Sequence, residues 1–424
     1  MTPEVKERIE QIRHGNVPEG YKKTGVGTIP NTWDLCALTS VMGHLEAGTS
    51  VNSDPANDTG RYILKTSAVF HGNVNLGEAK PVLETDIVRL KCPVQKGCIM
   101  ISRMNTPALV GECGYVKEAS DVHFLPDRLW QATNISPETC DFVWLNQLLN
   151  YERYRSAIRS MATGTSNSMK NISKESFLGL TIAFPSLVEQ QRISKILTTQ
   201  DKVIDLKTKL LAGKQRQKKC AMQQLLTGKK RIPGFTGEWR QEKLGKLFSE
   251  RSETKCEHLE LLAITGTQGV IPRSQLDLKD NSSEDKSKYL RICVGDIGYN
   301  TMRMWQGVSA YSNYEGIVSP AYTILKASSS INAKYFAYLF KMPEVIFLFY
   351  RFSQGLVDDT RNLKYENFKK ISVTYPVDIE EQNAIVSVLE KADQEIELLN
   401  QAIEQEKQKK KALMQLLLTG IVRV

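Results

Sequence analysis

The strongest constraint on this chain is that it repeats itself. Residues 189–197 (EQQRISKIL) match residues 381–389 (EQNAIVSVL), and the same offset of 192 carries Asp201 onto Asp393, Ile204 onto Ile396, Leu206 onto Leu398 and Lys218-Lys219 onto Lys410-Lys411. It ends with residues 222–228 (MQQLLTG) on residues 414–420 (MQLLLTG). Two unrelated helices would not hold one register this far, so a structural unit has been duplicated. Upstream, residues 164–177 (GTSNSMKNISKESF) match 355–368 (GLVDDTRNLKYENF) and Pro185 matches Pro376 at an offset of 191, which leaves one inserted residue between. Each half opens alike: Ile29-Pro30-Asn31-Thr32-Trp33 with Leu38, and Phe235-Thr236-Gly237-Glu238-Trp239 with Leu244. The order is opener, divergent body, Gly-containing loop, proline and long helical segment, given twice.

The second helical segment carries a coiled-coil seam. Ile385, Leu389, Ala392, Ile396, Leu399, Ile403, Glu406, Lys410, Leu413 and Leu417 alternate spacings of four and three, the pattern that keeps one helix face against a partner. The first follows it less cleanly, through Ile193, Leu197, Ile204, Leu211, Ala221 and Leu225, with Lys207, Lys214 and Lys218 interrupting. Each helix is expected to run about 40 residues, roughly 60 Å, and to stop at Thr227-Gly228 or Thr419-Gly420, with glycine as a left-handed cap. Two copies bracketing two non-helical bodies favour an antiparallel pair used as a spacer over a hairpin used only for packing. At the N-terminus, Thr2 and Pro3 predict a short helix ending at Gly15, placed beside the far end of the C-terminal helix so that a pseudo-symmetric ring closes.

The bodies read as mixed α and β. Short apolar runs at residues 62–64, 97–101 and 319–325 are bounded by Gly, Asn and Pro, as strands are; helical stretches follow at 140–159 and 333–352. The fold class expected is α+β, with two globular α/β domains separated by two long antiparallel coiled-coil helices in a pseudo-two-fold repeat. The divisions are 1–27 (N-terminal helix and lead-in), 28–185 (first body), 186–231 (central helix), 232–376 (second body) and 377–424 (C-terminal helix). A chain of 424 residues is long enough for such a duplication.

Composition narrows the partner. Lys and Arg number 56 against 47 Asp and Glu, a net charge of +9, a balance that suits a polyanion without proving one. No stretch approaches the roughly 20 apolar residues that cross a bilayer, and the start lacks a hydrophobic signal core, so a cytoplasmic location is expected. The 8 cysteines are scattered without a C-x-x-C pair and read as reduced, mostly buried thiols.

Catalytic machinery is not found in the sequence. Gly245-Lys246 is followed by Leu247 and lacks the upstream glycine of a phosphate-binding loop. There is no Asn-Pro-Pro or Asp-Pro-Pro element of an adenine methyltransferase, and Glu253-x-Lys255 alone does not make a nuclease site. The five histidines (His14, His44, His71, His123, His258) stand apart in sequence, which gives no pattern for a metal or an acid–base pair.

The bodies do contain side chains of the kinds that can read DNA. In the first, Lys65-Thr66-Ser67, Arg103 with Asn105, and Thr165-Ser166-Asn167 up to Lys170 place cationic and amide groups in Gly-flanked loops; in the second, Thr265, Thr267, Gln268, Asn300, Arg303, Trp305, Gln306, Arg361 and Asn362 do the same. Arginine matches guanine O6 and N7, asparagine or glutamine matches adenine N6 and N7, and Lys, Ser and Thr hold phosphates. Any one of these alone is an ordinary loop residue. The expectation rests on the group, because the two sets occupy corresponding places in the repeat.

The arrangement resembles the specificity subunits of type I restriction-modification systems. The residues that carry this are the Ile29-Pro30-x-x-Trp33 opener, Gly295-Asp296-Ile297 leading to Arg303-Met304-Trp305 and to residues 317–322 (IVSPAY), residues 185–191, and the twin Met-Gln-x-Leu-Leu-Thr-Gly endings. In the first body Gly97-Cys98-Ile99 stands where the family has Gly-Asp-Ile or Gly-Asp-Leu, a local departure. The resemblance implies a non-catalytic subunit with two target recognition domains. Each would read one half of a bipartite, asymmetric double-stranded DNA target, while the helices set the gap and dock two methyltransferase subunits. Those subunits would bind S-adenosylmethionine and extrude an adenine for N6 methylation; a restriction subunit using ATP and Mg²⁺ would join in some complexes. This chain itself would hold no cofactor and no metal. Two other readings remain open: a coiled-coil scaffold that binds proteins without reading DNA, and a self-sufficient DNA methyltransferase.

Overall fold

The computed structural model describes residues 2–164, 169–266, 268–276 and 285–424. The chain divides into two compact units, residues 1–206 with 403–424, and residues 207–402. Each unit therefore takes part of both long helices.

In the first unit a six-stranded sheet is centred on Ile99–Ser102, which lies between Leu129–Ala132 and Cys113–Tyr115. Ile99 faces Tyr115 on one side and Ala132 on the other. All four residues of that central strand are buried, as expected of a strand covered on both faces. In the second unit Ile297–Asn300 holds the same place, with Ile297 facing Tyr311 and Leu325. Each opener leads into a strand that pairs with the one before the long helix: Asp34–Ala37 with Thr181–Phe184, and Trp239–Lys243 with Ser372–Pro376. Both halves thus fold on one plan, and the mixed α/β expectation holds.

Some expected elements are divided. The helical stretch at 140–159 is two helices, Phe142–Leu149 and Glu152–Ser160, and that at 333–352 is Ala333–Leu339 and Pro343–Phe352. Pro343 fits the first turn of a new helix but not the interior of an old one. The strand foreseen from 319 begins at Tyr322, because Ser319 closes a turn by accepting the Tyr322 N–H at 3.1 Å. Fewer thiols are buried than expected: Cys98, Cys113 and Cys140 are buried, Cys220 is exposed and the rest lie between.

The long helices span Leu187–Leu225 and Ile379–Leu418. Ser186 and Asp378 begin them by accepting the N–H of Glu189 at 3.4 Å and of Glu380 at 2.9 Å. Gly228 and Gly420 follow their ends at φ +70° and +71°, the left-handed stop that the sequence predicted. In the first unit Ile193 and Leu197 share a core with Leu417 and Leu418, Gln200 Nε2 donates to Glu406 Oε2 at 2.7 Å, and Lys410 pairs with Asp201 at 2.6 Å. In the second, Ala221, Met222 and Leu225 share a core with Ile385, Val386 and Leu389, while Lys214 pairs with Glu395 at 2.6 Å and Lys218 with Asp393. Sequence numbers rise on one helix as they fall on the other, so the segments are antiparallel in each unit. The lysines that interrupt the first seam are therefore accommodated: Lys214 and Lys218 meet carboxylates of the facing helix. Each such pair is partly exposed and adds on the order of 0.5 kcal/mol, so the pairs set register more than stability.

The N-terminal helix, Pro3–Arg13, docks where the repeat predicts. Arg8 Nη1 donates to the Ile421 carbonyl at 2.5 Å and the Tyr21 hydroxyl to the Gly420 carbonyl at 2.8 Å. Thr2 makes no side-chain cap. Among the described residues no helix is long and apolar enough to cross a membrane.

Candidate nucleic-acid interface

Two glycines with the same unusual backbone mark the candidate surface in each unit. Gly164 and Gly355 both have φ +135°, a conformation that side-chain-bearing residues rarely adopt. A Cβ on Gly355 would lie 2.6 Å from the Thr360 carbonyl oxygen, so the close approach also requires glycine. Beside each glycine stands a doubly hydrogen-bonded bridge. Thr163 and Asn171 exchange N–H···O bonds of 2.9 Å, and Gln354 and Asn362 exchange bonds of 2.8 Å. The next residue then ties the loop to the end of the central strand: Ile172 N–H donates to the Arg103 carbonyl at 3.0 Å and Leu363 N–H to the Thr301 carbonyl at 2.8 Å. Backbone bonds thus fix the described residues at the base of each loop against the end of the central strand.

In the first unit this geometry gathers Arg103, Asn105 and Lys170. Asn105 lies opposite Lys170 in the short ladder of Met104–Asn105 with Lys170–Asn171, and Lys170 Nζ donates to the Gly164 carbonyl at 2.6 Å. The Arg103 guanidinium sits 5.7 Å from the centre of the Trp130 ring, a cation–π contact. Its Nε and the Asn171 Oδ1 are buried without a hydrogen-bond partner among the described residues. Lys65, Thr66 and Ser67 belong elsewhere, in and just before the 3-10 turn Thr66–Ala68. There Lys65 and Ser67 both engage Glu78, at 3.4 and 2.9 Å, and no hydrogen bond, ion pair or ring contact among the described residues joins them to the Arg103 group. Thr165, Ser166 and Asn167 lie outside the described residues.

In the second unit Asn300, Arg303, Trp305, Gln306, Arg361 and Asn362 are brought together. Asn300 Oδ1 accepts the Met302 N–H at 2.9 Å, starting the turn that carries Arg303, and the exposed Arg303 and Gln306 side chains meet at 3.4 Å. Trp305 donates its Nε1–H to the Met302 carbonyl at 2.9 Å and meets Tyr350 edge-on, with centroids 6.2 Å apart. Arg361 lies 4.1 Å over the same Tyr350 ring, gives one hydrogen bond of 2.9 Å to its hydroxyl and another of 2.8 Å to Asp358. Its guanidinium is thus engaged as a brace. Asn362 Oδ1, like Asn171 Oδ1 at the matching position, is buried and has no partner among the described residues. It lines a cleft of about 520 Å³ with Thr301, Met302 and Tyr322.

Thr265 and Gln268 form a separate corner. Thr265 Oγ1 accepts the Gln268 N–H at 2.8 Å and donates to the Gly269 carbonyl at 3.0 Å, closing the hairpin between Leu262–Thr265 and Gly269–Pro272. Thr267 lies outside the described residues. The hairpin edges a cleft of about 770 Å³ shared with Lys218, Tyr338 and Lys341.

Sequence reading missed two groups. Tyr350, from the helix Pro343–Phe352, organises Trp305 and Arg361, and only the fold brings it there. Lys341 donates its Nζ hydrogens to the carbonyls of Gly307 and Ser309 at 2.8 and 2.5 Å, holding the turn that follows Trp305-Gln306; burial pushes its ammonium down to about 8. Neither carries a local motif.

The sequence profile described as the type I restriction modification DNA specificity domain matches residues 30–213 and 278–408 of the chain. The protein assigned as the specificity subunit of the type I restriction enzyme MjaX of Methanocaldococcus jannaschii is 22% identical over 96% of this chain and 97% of its own length. The crystal structure of the type I restriction-modification system S subunit from M. genitalium superposes with a TM-score of 0.55 at 17% identity, covering 91% of this chain and 96% of that one. A chain from a structure concerned with complex assembly and conformational transition of the type I R-M system gives 0.57 at 16% identity, over 93% and 99%. The two solved structures share the fold with this chain. With a profile match in both halves of a duplicated α/β chain, the protein belongs to the type I restriction-modification DNA specificity family.

Proposed function

We propose that this chain is the non-catalytic DNA-reading subunit of a type I restriction-modification complex. Each body reads one half of a bipartite, asymmetric duplex target. The long helices set the unread gap between the halves and dock two methyltransferase subunits. The observation that supports this most is the pair of equivalent loop anchors, Gly164 with the Thr163–Asn171 bridge and Gly355 with the Gln354–Asn362 bridge. One backbone frame carries different side chains in the two halves, which suits two surfaces that bind the same kind of partner and select different bases.

Arg303 and Gln306 are the base-edge candidates of the second body and Arg103 and Asn105 those of the first, with Lys170 the phosphate candidate beside them. Leu206 and Leu398, at corresponding positions of the two helices, are each 64% exposed. Their matched placement on the two copies of the helix is compatible with two identical partner subunits. The reaction chemistry belongs to those partners: S-adenosylmethionine in the methyltransferase subunits, and ATP with Mg²⁺ in a restriction subunit where one is present. This chain binds the DNA and holds none of these groups.

The test is exchange of residues 28–185 for the matching body of a relative, followed by methylome sequencing of cells carrying the methyltransferase partner. One half of the methylated motif changes and the other is kept. Change in both halves, or in neither, defeats the assignment; a coiled-coil scaffold would leave the motif untouched, and a self-sufficient methyltransferase would modify DNA with no partner present.

A further inference from the structure

The loop that follows Gly355 displays two large apolar side chains to solvent. Leu356 is 99% exposed and Val357 59%. Solvent-exposed leucines are common, but this pair sits on a tightly built support. The Gln354–Asn362 bridge closes the loop with two bonds of 2.8 Å, and Gly355 adopts φ +135° where a Cβ would strike the Thr360 carbonyl. The Val357 carbonyl accepts both the N–H and the hydroxyl of Thr360 at 3.0 Å, and Arg361 locks Asp358 to Tyr350. A loop ordered in advance loses little conformational freedom when it binds. The support therefore serves the tip it presents.

We propose that Leu356 and Val357 form an apolar finger that reads the 5-methyl group of a thymine in the half-site bound by the second body. This rests on the DNA-reading function proposed above and goes further by naming the base feature. Thymine methyl is the apolar group that base edges offer in the major groove. The finger stands on the surface that also carries Arg303 and Gln306, because Leu363 N–H is bonded to the Thr301 carbonyl and Arg361 shares Tyr350 with Trp305. The pair shares its surface with the exposed Arg303 and Gln306 side chains and is followed directly by Asp358, which Arg361 engages; that polar setting suits a base edge better than an apolar protein face. The matching sequence positions in the first body are Thr165 and Ser166, so the two loops differ in the chemistry that a reader varies.

The experiment uses the full complex with its methyltransferase subunits, once the motif is known from methylome sequencing. Uracil replaces thymine one position at a time in the second half-site, which removes only the methyl. At one position wild-type affinity falls about fourfold, the worth of one buried methyl-sized group, and Leu356→Ala with Val357→Ala abolishes that sensitivity while relaxing the motif there. Arg303→Ala with Gln306→Ala serves as the control for the underlying reading. If the finger variant keeps wild-type motif and uracil sensitivity while the control variant loses the second half-site, the finger proposal is overturned and DNA reading stands. If neither variant affects the second half-site, this surface does not read DNA. Loss of methyltransferase binding in the finger variant, with motif and uracil response unchanged, overturns the proposal in favour of a protein contact.

Discussion

Arg423 holds Glu189 with two hydrogen bonds, Nε at 2.5 Å and Nη2 at 2.8 Å, while Trp33 donates its Nε1–H to the same carboxylate at 3.0 Å. In the second unit Arg231 makes the same pair with Glu381, at 2.9 and 2.6 Å, and Trp239 is the indole donor at 3.4 Å. Arg231 and Arg423 are 192 residues apart, the offset of the repeat. The segment after each long helix thus fastens itself to the start of a long helix and to an opener tryptophan. It is a bidentate, charge-assisted contact to a buried carboxylate. The Gln beside each Glu completes the joint: Gln190 bridges the Pro185 carbonyl and the Asp141 N–H, and Gln382 the Pro376 carbonyl and the Asn332 N–H. Asp141 and Asn332 are in turn the N-caps of the helices Phe142–Leu149 and Ala333–Leu339.

Arg423→Met leaves Glu189 buried with two N–H donors fewer, the Trp33 indole remaining. The cost expected is about 2 kcal/mol, below the usual range for breaking a buried pair because the arginine is partly exposed. Adding Glu189→Gln recovers part of it, and Arg231→Met behaves the same way through Glu381. Urea denaturation of the four variants measures this; additive losses for Arg423→Met and Glu189→Gln would show that the two residues do not act as a pair.

Gly420→Ala is expected to be more damaging than Gly228→Ala. Both positions have left-handed backbone, φ +71° and +70°, so both variants carry strain of about 1 kcal/mol. The added methyl would meet Pro30 Cδ at 2.5 Å in the first case and the Trp239 ring at 3.2 Å in the second. Thermal denaturation ranks them, and equal losses would mean that backbone conformation alone decides.

Lys341 gives a pH dependence with a definite sign. Burial holds its ammonium down to about 8 in the folded chain, whereas an unfolded lysine titrates near about 10.4. Between those values the unfolded chain binds the extra proton, so this group's contribution to stability rises with pH across that window. Lys341→Met removes the rise. Urea midpoints from pH 7.5 upward, about the window set by the shift, should climb more, or fall less, for the natural protein than for the variant.

If the helices set the gap, four residues inserted just before Thr227 lengthen the helix by about 6 Å and the unread gap by one or two base pairs at roughly 3.4 Å each. Methylome sequencing reads the gap directly. The original spacing with full activity would remove the ruler role.

Large parts of the fold were legible because they are written twice. The internal repeat located both helices, both openers and the equivalent loops, and the alternating spacing of Ile385 through Leu417 described a seam whose residues are buried or half-buried in the structure. The loop residues were harder. The repeat marked 164–177 and 355–368 as equivalent, but no local pattern showed that Arg361 would be engaged by Tyr350 and Asp358 instead of standing free, or that Leu356 beside it would project into solvent. Nor did sequence separate Lys65 and Ser67, tied to Glu78, from the Arg103 group.

The sequence by itself determined the duplication, the helix ends at Gly228 and Gly420 and the α/β character of the bodies, since periodicity, caps and turn residues act over a few neighbouring positions. Tertiary structure alone decided that Arg423 closes on Glu189 across 234 residues of chain, that Lys218 meets Asp393, and which polar side chains are engaged and which stay open. Those outcomes depend on long-range packing, where one buried carboxylate accepts whichever cation the fold delivers to it, and a local stretch of sequence does not encode that meeting.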